Sequence, residues 1–143
     1  MNNGITQIPD IFINIFGENK QNAIILGDVA SAPTDEKIKF YNEVIDTQIT
    51  VDKIMGMEKE IKYIHIDKCD IKNQNDTGTH EAPRIVFYFT DNTSCISFSA
   101  GVYLALKKLV NIFGAPPYEF NVKFKCIEKG KSRTYSFDIV PKK

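Results

Sequence analysis

After residue 58 the chain alternates apolar and polar positions with a period of two. From Glu60 to Lys72, Ile64 and Ile66 share one face while Tyr63, His65 and Asp67 share the other, which predicts a strand. A turn-rich stretch, NQNDTGTH at 73–80, separates it from a second strand, Arg84–Thr90. There Ile85, Phe87 and Phe89 oppose Val86 and Tyr88. Asp91-Asn92-Thr93 reads as a tight turn, and Ser94–Ser99 as a third strand with Ile96 and Phe98 inward.

The period then changes. Val102, Leu106, Leu109, Val110 and Phe113 recur at steps of three and four, which predicts a helix with Lys107 and Lys108 off its apolar stripe. Ser99 is the candidate N-cap, and Gly114 with Pro116-Pro117 the stop. Two strands follow. Val122, Phe124 and Cys126 alternate with Lys123 and Lys125, Lys129-Gly130-Lys131 turns the chain, and Arg133–Val140 returns with Tyr135, Phe137 and Ile139 on one face.

The first 57 residues are less ordered in pattern. Ile11–Phe16 forms an apolar cluster whose period decides neither helix nor strand, and Ala23–Leu26, closed by Gly27-Asp28, reads as a strand. Residues 31–37, broken by Pro33, read as a loop, and Lys39–Val51 as a loosely alternating strand ended near Gly56.

Three meandering strands, one helix and a hairpin make the element order of the OB-fold, a partly open five-stranded Greek-key barrel. The expectation is a single mostly β domain over 1–143. Residues 58–143 form an OB-like barrel with one helix between strands three and four, and 1–57 an N-terminal extension packed on or extending it. Another small α+β meander with the same order is the alternative.

Composition supports sheet: 10 Phe and 6 Tyr are many rings for 143 residues. Charge sums to zero but is uneven, with 8 Lys against 13 acids in residues 1–80 and 10 Lys or Arg against 5 acids in 81–143. Such asymmetry points weakly to a nucleic-acid surface. Cys69, Cys95 and Cys126 are odd in number and far apart, with no C-x-x-C, and read as unpaired structural thiols in a cytoplasmic setting. No stretch approaches 18 apolar residues and no basic n-region opens the chain, so neither a membrane partner nor a secretion signal is expected.

Catalysis finds little support. The only histidines, His65 and His80, lack a nucleophile motif. Asp67 and Asp70 point to opposite faces of a strand, NDTG at 75–78 is only a fragment of a calcium loop, and no phosphate-binding glycine motif is present. No enzyme activity, cofactor or metal is expected.

Positive charge gathers in the last hairpin, where Lys123, Lys125, Lys129, Lys131 and Arg133 fall close together, with Lys142 and Lys143 beyond. Single strands need cations for phosphates and rings for bases, each stacked base gaining about 1–3 kcal/mol. Tyr63, His65 and Tyr88 lie opposite the most aliphatic residues and are assigned to stacking, with Tyr135 as a further ring. Lys68 and Arg84 join Lys123, Lys125, Lys131 and Arg133 as the cationic set. The competing reading of the lysine row is protection of an exposed sheet edge.

The run APRIVFYFTDNTSCISFSAGVYLALKKLVNIFGAPPYE, 82–119, resembles small single-stranded-DNA-binding proteins of phages and related mobile elements. The shared features are strand Ile85–Phe89, the Asp91-Asn92 turn, Ile96–Ser99, the helix start Gly101-Val102-Tyr103, Lys107-Lys108 and the stop Gly114-Ala115-Pro116. With its flanks the resemblance covers about 58–140, and it implies an OB-like barrel that protects single-stranded DNA during replication. Self-association and contact with replication proteins belong to that picture. The alternative function is a protein-interaction module, an assembly factor or an inhibitor of a host protein, using the acidic N-terminal half.

Overall fold

The alternating run forms sheet, as its period demands. In this computed structural model, which describes residues 23–72 and 79–142, strand β1 is Ile24–Leu26, helix α1 Thr34–Asp46, β2 Glu58–Lys59, β3 Ile61–Lys72 and β4 Thr79–Phe89. They are followed by β5 Ser94–Ser97, α2 Ala100–Phe113, β6 Phe120–Lys129 and β7 Ser132–Pro141. A 3-10 turn, Val51–Ile54, precedes β2. The described chain is mostly β: two antiparallel sheets, β1-β3-β4-β5 and β2-β6-β7, with the helices packed around them.

The sheets meet where β2 runs into β3 with only Glu60 between them. β2 pairs with β6 through Glu58↔Lys123, and β3 pairs with β4 over its full length, with a register shift between Ile61 and Tyr63. Such an irregularity bends and twists a strand. One nearly continuous strand therefore serves both sheets and wraps a common core. Ile61, Ile64 and Ile66 fill that core with Ile85, Phe87 and Phe89 of β4, Val122 and Phe124 of β6, Phe137 of β7, and the α2 stripe Val102, Leu106, Leu109 and Val110.

Helix α2 stands where its spacing puts it. Ser99 Oγ accepts the Gly101 and Val102 N–H groups, which otherwise have no intrahelical partner, and Gly114 ends the helix at φ 79°. Phe113, expected on the buried stripe, is instead about half exposed.

Three expectations are corrected. Residues 34–46 form a helix, with Asp35 and Glu36 at its positive N-terminal end and Phe40 and Val44 one turn apart facing the sheet. The loop at 31–37 and the strand at 39–51 do not form; burying Phe40 outweighs the loose alternation. Residues 79–83, read as loop and flank, already belong to β4. In β5 it is Cys95 that faces the main core, while Ile96 turns to the opposite face and Phe98 lies past the strand end, 41% exposed. Among the described residues no ladder joins β5 to β7. The outer edge of β5 is taken by the N-terminal segment: Ile96 N–H donates to Ile49 O at 2.8 Å, and Thr50 bridges Ile96 in parallel sense. Val51 and Ile54 then drop into the core. The Ile11–Phe16 cluster and most of the 73–80 turn lie outside the described residues.

Candidate nucleic-acid interface

The residues assigned to binding fall in two places. The first is the outer face of β3 and β4, where the cross-strand pairs Tyr63↔Tyr88, His65↔Val86 and Asp67↔Arg84 lie in register. Helix α1 roofs this face. Phe40 meets Tyr63 and Tyr88 edge-on, at ring-centroid distances of 5.2 and 5.6 Å, and the two tyrosines stack at 5.9 Å. Tyr88 has no exposed surface and Tyr63 has 5%, so neither ring presents a face to a base. The stacking role assigned to them is corrected: a face turned away from one core is here the floor of a second.

Polar links pin α1 along its length. Glu36 accepts a 2.8 Å bond from Lys62 Nζ and another from the Tyr63 hydroxyl, and these two bonds lower its carboxyl pKa. Burial, then the Glu36 contact, pushes the Tyr63 phenol up to about 12. Ser94 Oγ donates to Glu43. Arg84 donates to the Val44 carbonyl, close to the C-terminal end of α1, where a cation opposes the helix dipole. Arg84 also lies 3.8 Å from Asp67, so it is a structural cation as placed, not a free phosphate contact. His65 and Lys68 are half-buried on the same strand.

The second place is the β6–β7 hairpin. Lys123 and Lys125 project outward as expected, yet acids stand beside them. Asp138 is cross-strand from Lys123, Glu58 flanks it on the other side, and Lys125 Nζ pairs with Asp138 at 2.7 Å. That row is close to neutral. The residues at the turn differ: Lys129 and Lys131 are exposed and have no ion pair among the described residues, and Gly130 turns the chain at φ 60°. Arg133 makes a 3.5 Å contact with Glu128, both largely exposed, and its guanidinium lies 5.9 Å from the Tyr135 ring centre. Tyr135 is half-buried and opens on a cleft of about 390 Å³ between β5 and β7, shared with Phe98, Thr50 and Asp52.

Comparison with family models, with curated proteins and with solved structures gives no match.

The hairpin thus brings Lys131, Arg133 and Tyr135 together, while Tyr63, His65, Arg84 and Tyr88 are assembled around α1 instead. Phe98 was missed because it was assigned inward. The signal lay in Ser99: a residue that caps a helix ends the alternation, so its predecessor sits in a turn. Chemically, the cleft offers two rings and the Asp52 carboxylate, with the Arg133 guanidinium beside the Tyr135 ring. Among the described residues no group of three His, Cys, Asp or Glu side chains converges for a metal. Cys95 and Cys126 are free thiols, Cys95 buried with its pKa pushed up to about 12 by that burial. No described helix is long and apolar enough to cross a membrane.

Proposed function

We propose that this protein binds single-stranded nucleic acid without catalysis, holding the strand along the cleft between β5 and β7 and the turn of the β6–β7 hairpin. One observation carries the reading: Tyr135 shares a cleft with the exposed ring of Phe98, Arg133 stands beside the Tyr135 ring, and the exposed Lys129 and Lys131, without an ion pair among the described residues, occupy the turn of the same hairpin. Rings stack on bases whatever their identity, and cations track the backbone, which gives affinity with little sequence preference.

The strand order supports an OB-like barrel. If β2 and β3 are counted as one bent strand, the order β5-β4-β3/β2-β6-β7 is third, second, first, fourth, fifth around one core. The β6–β7 turn then corresponds to the loop between strands four and five, one of two through which this fold binds oligonucleotides. Helix α1 roofs the outer face of strands one and two and reaches strand three through the Ser94–Glu43 bond, so the proposed contact shifts toward the hairpin end. The resemblance adds a physiological role: covering exposed DNA during replication of a phage or plasmid.

The test is anisotropy of a labelled oligothymidine and of a duplex at several salt concentrations. Strong preference for the single strand is expected. If Lys129, Lys131 and Arg133 each neutralise a phosphate, the log–log salt slope is about −2, at about −0.7 per contact. Lys129→Ala with Lys131→Ala then shallows the slope by about 1.4, whereas Tyr135→Ala costs about 1–3 kcal/mol at unchanged slope. Equal affinity for duplex, or no binding, defeats the proposal.

The rival class, a protein-interaction module, has one observation in its favour. Ile38, Tyr41 and Ile45 form an exposed apolar stripe on α1 at helical spacing. Failure to bind any oligonucleotide, together with a partner lost on Tyr41→Ser, would put that reading first.

A further inference from the structure

Between α1 and the outer face of the first sheet lies a cleft of about 620 Å³, separate from the hairpin. Its walls are mostly apolar, supplied by Ile25 of β1 and by Phe40, Val44 and Ile45 of α1, with Lys37 of α1 as a charged wall residue. Its floor is not. His65, Asp67 and Arg84 meet there, and two of their atoms, His65 Nδ1 and Asp67 Oδ1, are buried with no hydrogen-bond partner. Buried polar groups are almost always hydrogen-bonded; here His65 Nδ1 has no hydrogen-bond partner and Asp67 Oδ1 has only the long 3.8 Å ionic contact of Arg84, so both retain bonding capacity that a ligand can use. Burial is the leading influence on both residues, lowering the imidazole pKa and raising that of the carboxyl. The Arg84 guanidinium lies near both groups, and it is held by the Val44 carbonyl.

These features select a ligand by elimination. A fatty chain fits the walls but leaves the floor unpaired. A simple cation meets Arg84 and Lys37, and a simple anion, though drawn by those two, meets Asp67 and leaves that acceptor without a donor. A neutral, flat molecule whose edge presents a donor beside an acceptor satisfies both, since Arg84 donates and Asp67 accepts. Rotation of the carboxylate or the imidazole about χ2, a soft torsion, turns the unpaired atoms toward the cleft. The volume falls within the range of small-molecule sites.

We propose that this cleft binds a neutral heteroaromatic ring with adjacent hydrogen-bond donor and acceptor, a nucleobase being the type, with Asp67 and Arg84 reading its edge. The source is either a free nucleoside or nucleotide or one base of a bound strand. The inference does not rest on the hairpin reading, because none of its residues lies in the hairpin.

The experiment is titration calorimetry with adenosine, guanosine, cytidine and thymidine, with octanoate and benzoate as aliphatic and anionic probes. At least one nucleoside binds saturably at one site and the two acids bind more weakly. Asp67→Asn weakens that binding about tenfold, the loss of a hydrogen bond to a charged group. Because Asp67→Asn alters a half-buried residue, Ile45→Trp, placed at the exposed rim, provides the second arm. It closes the cleft and abolishes nucleoside binding with the melting temperature retained. Competition between the nucleoside and oligothymidine assigns the cleft to a base of the strand, and independent binding assigns it to a free ligand. Lys129→Ala with Lys131→Ala leaves nucleoside binding intact, so this site and the hairpin fail or succeed separately. No binding by any nucleoside, or binding unchanged in both Asp67→Asn and Ile45→Trp, overturns the proposal.

Discussion

Tyr88 lies on the face of β4 turned away from the main core, yet Phe40 and Tyr63 pack on it and leave none of its surface exposed. Alternation reports which side a residue takes; it does not report what another part of the chain lays over that side. Truncation should therefore act on folding. Tyr88→Ala is expected to lose about 3–5 kcal/mol in urea denaturation, and Tyr88→Phe, which drops only the 3.2 Å bond to Asn92, about 0.5–1.5 kcal/mol. Asp91 gives a test by pH. Burial alone raises its pKa, but bonds from Lys59 Nζ at 2.8 Å and from the Thr93 hydroxyl and N–H outweigh it and hold the carboxyl at about 2. A depressed folded pKa stabilises above the unfolded value of about 3.9, and the contribution is lost as pH falls through about 2. The carboxylate is half exposed, so screening keeps its contribution below about 1 kcal/mol. Asp91→Asn should lower the melting temperature near neutral pH by about 2–4 °C, with the two proteins converging near pH 2.

The elements differ in how plainly the sequence announces them. Helix α2 carries its cap, its apolar stripe and its glycine stop within its own residues, and was legible for that reason. Helix α1 lacks a side-chain cap, and its apolar positions are split between the buried pair Phe40 and Val44 and the exposed Ile38, Tyr41 and Ile45, which blurs the period. Only the sheet beneath it decides the matter. Strand β5 was read in the opposite sense because Cys95, a small residue, takes the core position while the larger Ile96 and Phe98 do not. Where α2 meets β7, contact is close enough to exclude a side chain. A Cβ on Gly101 would stand 2.2 Å from the Tyr135 carbonyl oxygen and 2.6 Å from Thr134 Cγ2. Backbone cannot move aside as a flexible side chain does. Gly101→Ala should thus destabilise by about 1–3 kcal/mol, measured by urea denaturation, and should disturb the Tyr135 end of the cleft between β5 and β7.

At the scale of the molecule, the sheet-rich architecture and the order of its last six elements followed from periodicity alone. The site did not, because half of it depends on residues 24–57, whose role as roof, edge strand and core plug leaves no mark in the local pattern. Charge was similarly partial: the Lys123–Lys125 row is plain in sequence, but its neutralisation by Glu58 and Asp138 is a matter of register. The run from Glu58 to Lys72 has its own consequence. Because its first residues belong to one sheet and the remainder to the other, neither sheet can come apart while its neighbour stays whole. Opening at this seam exposes the common interior from both sides at once, so partly unfolded forms are penalised and the two sheets melt as a single cooperative unit.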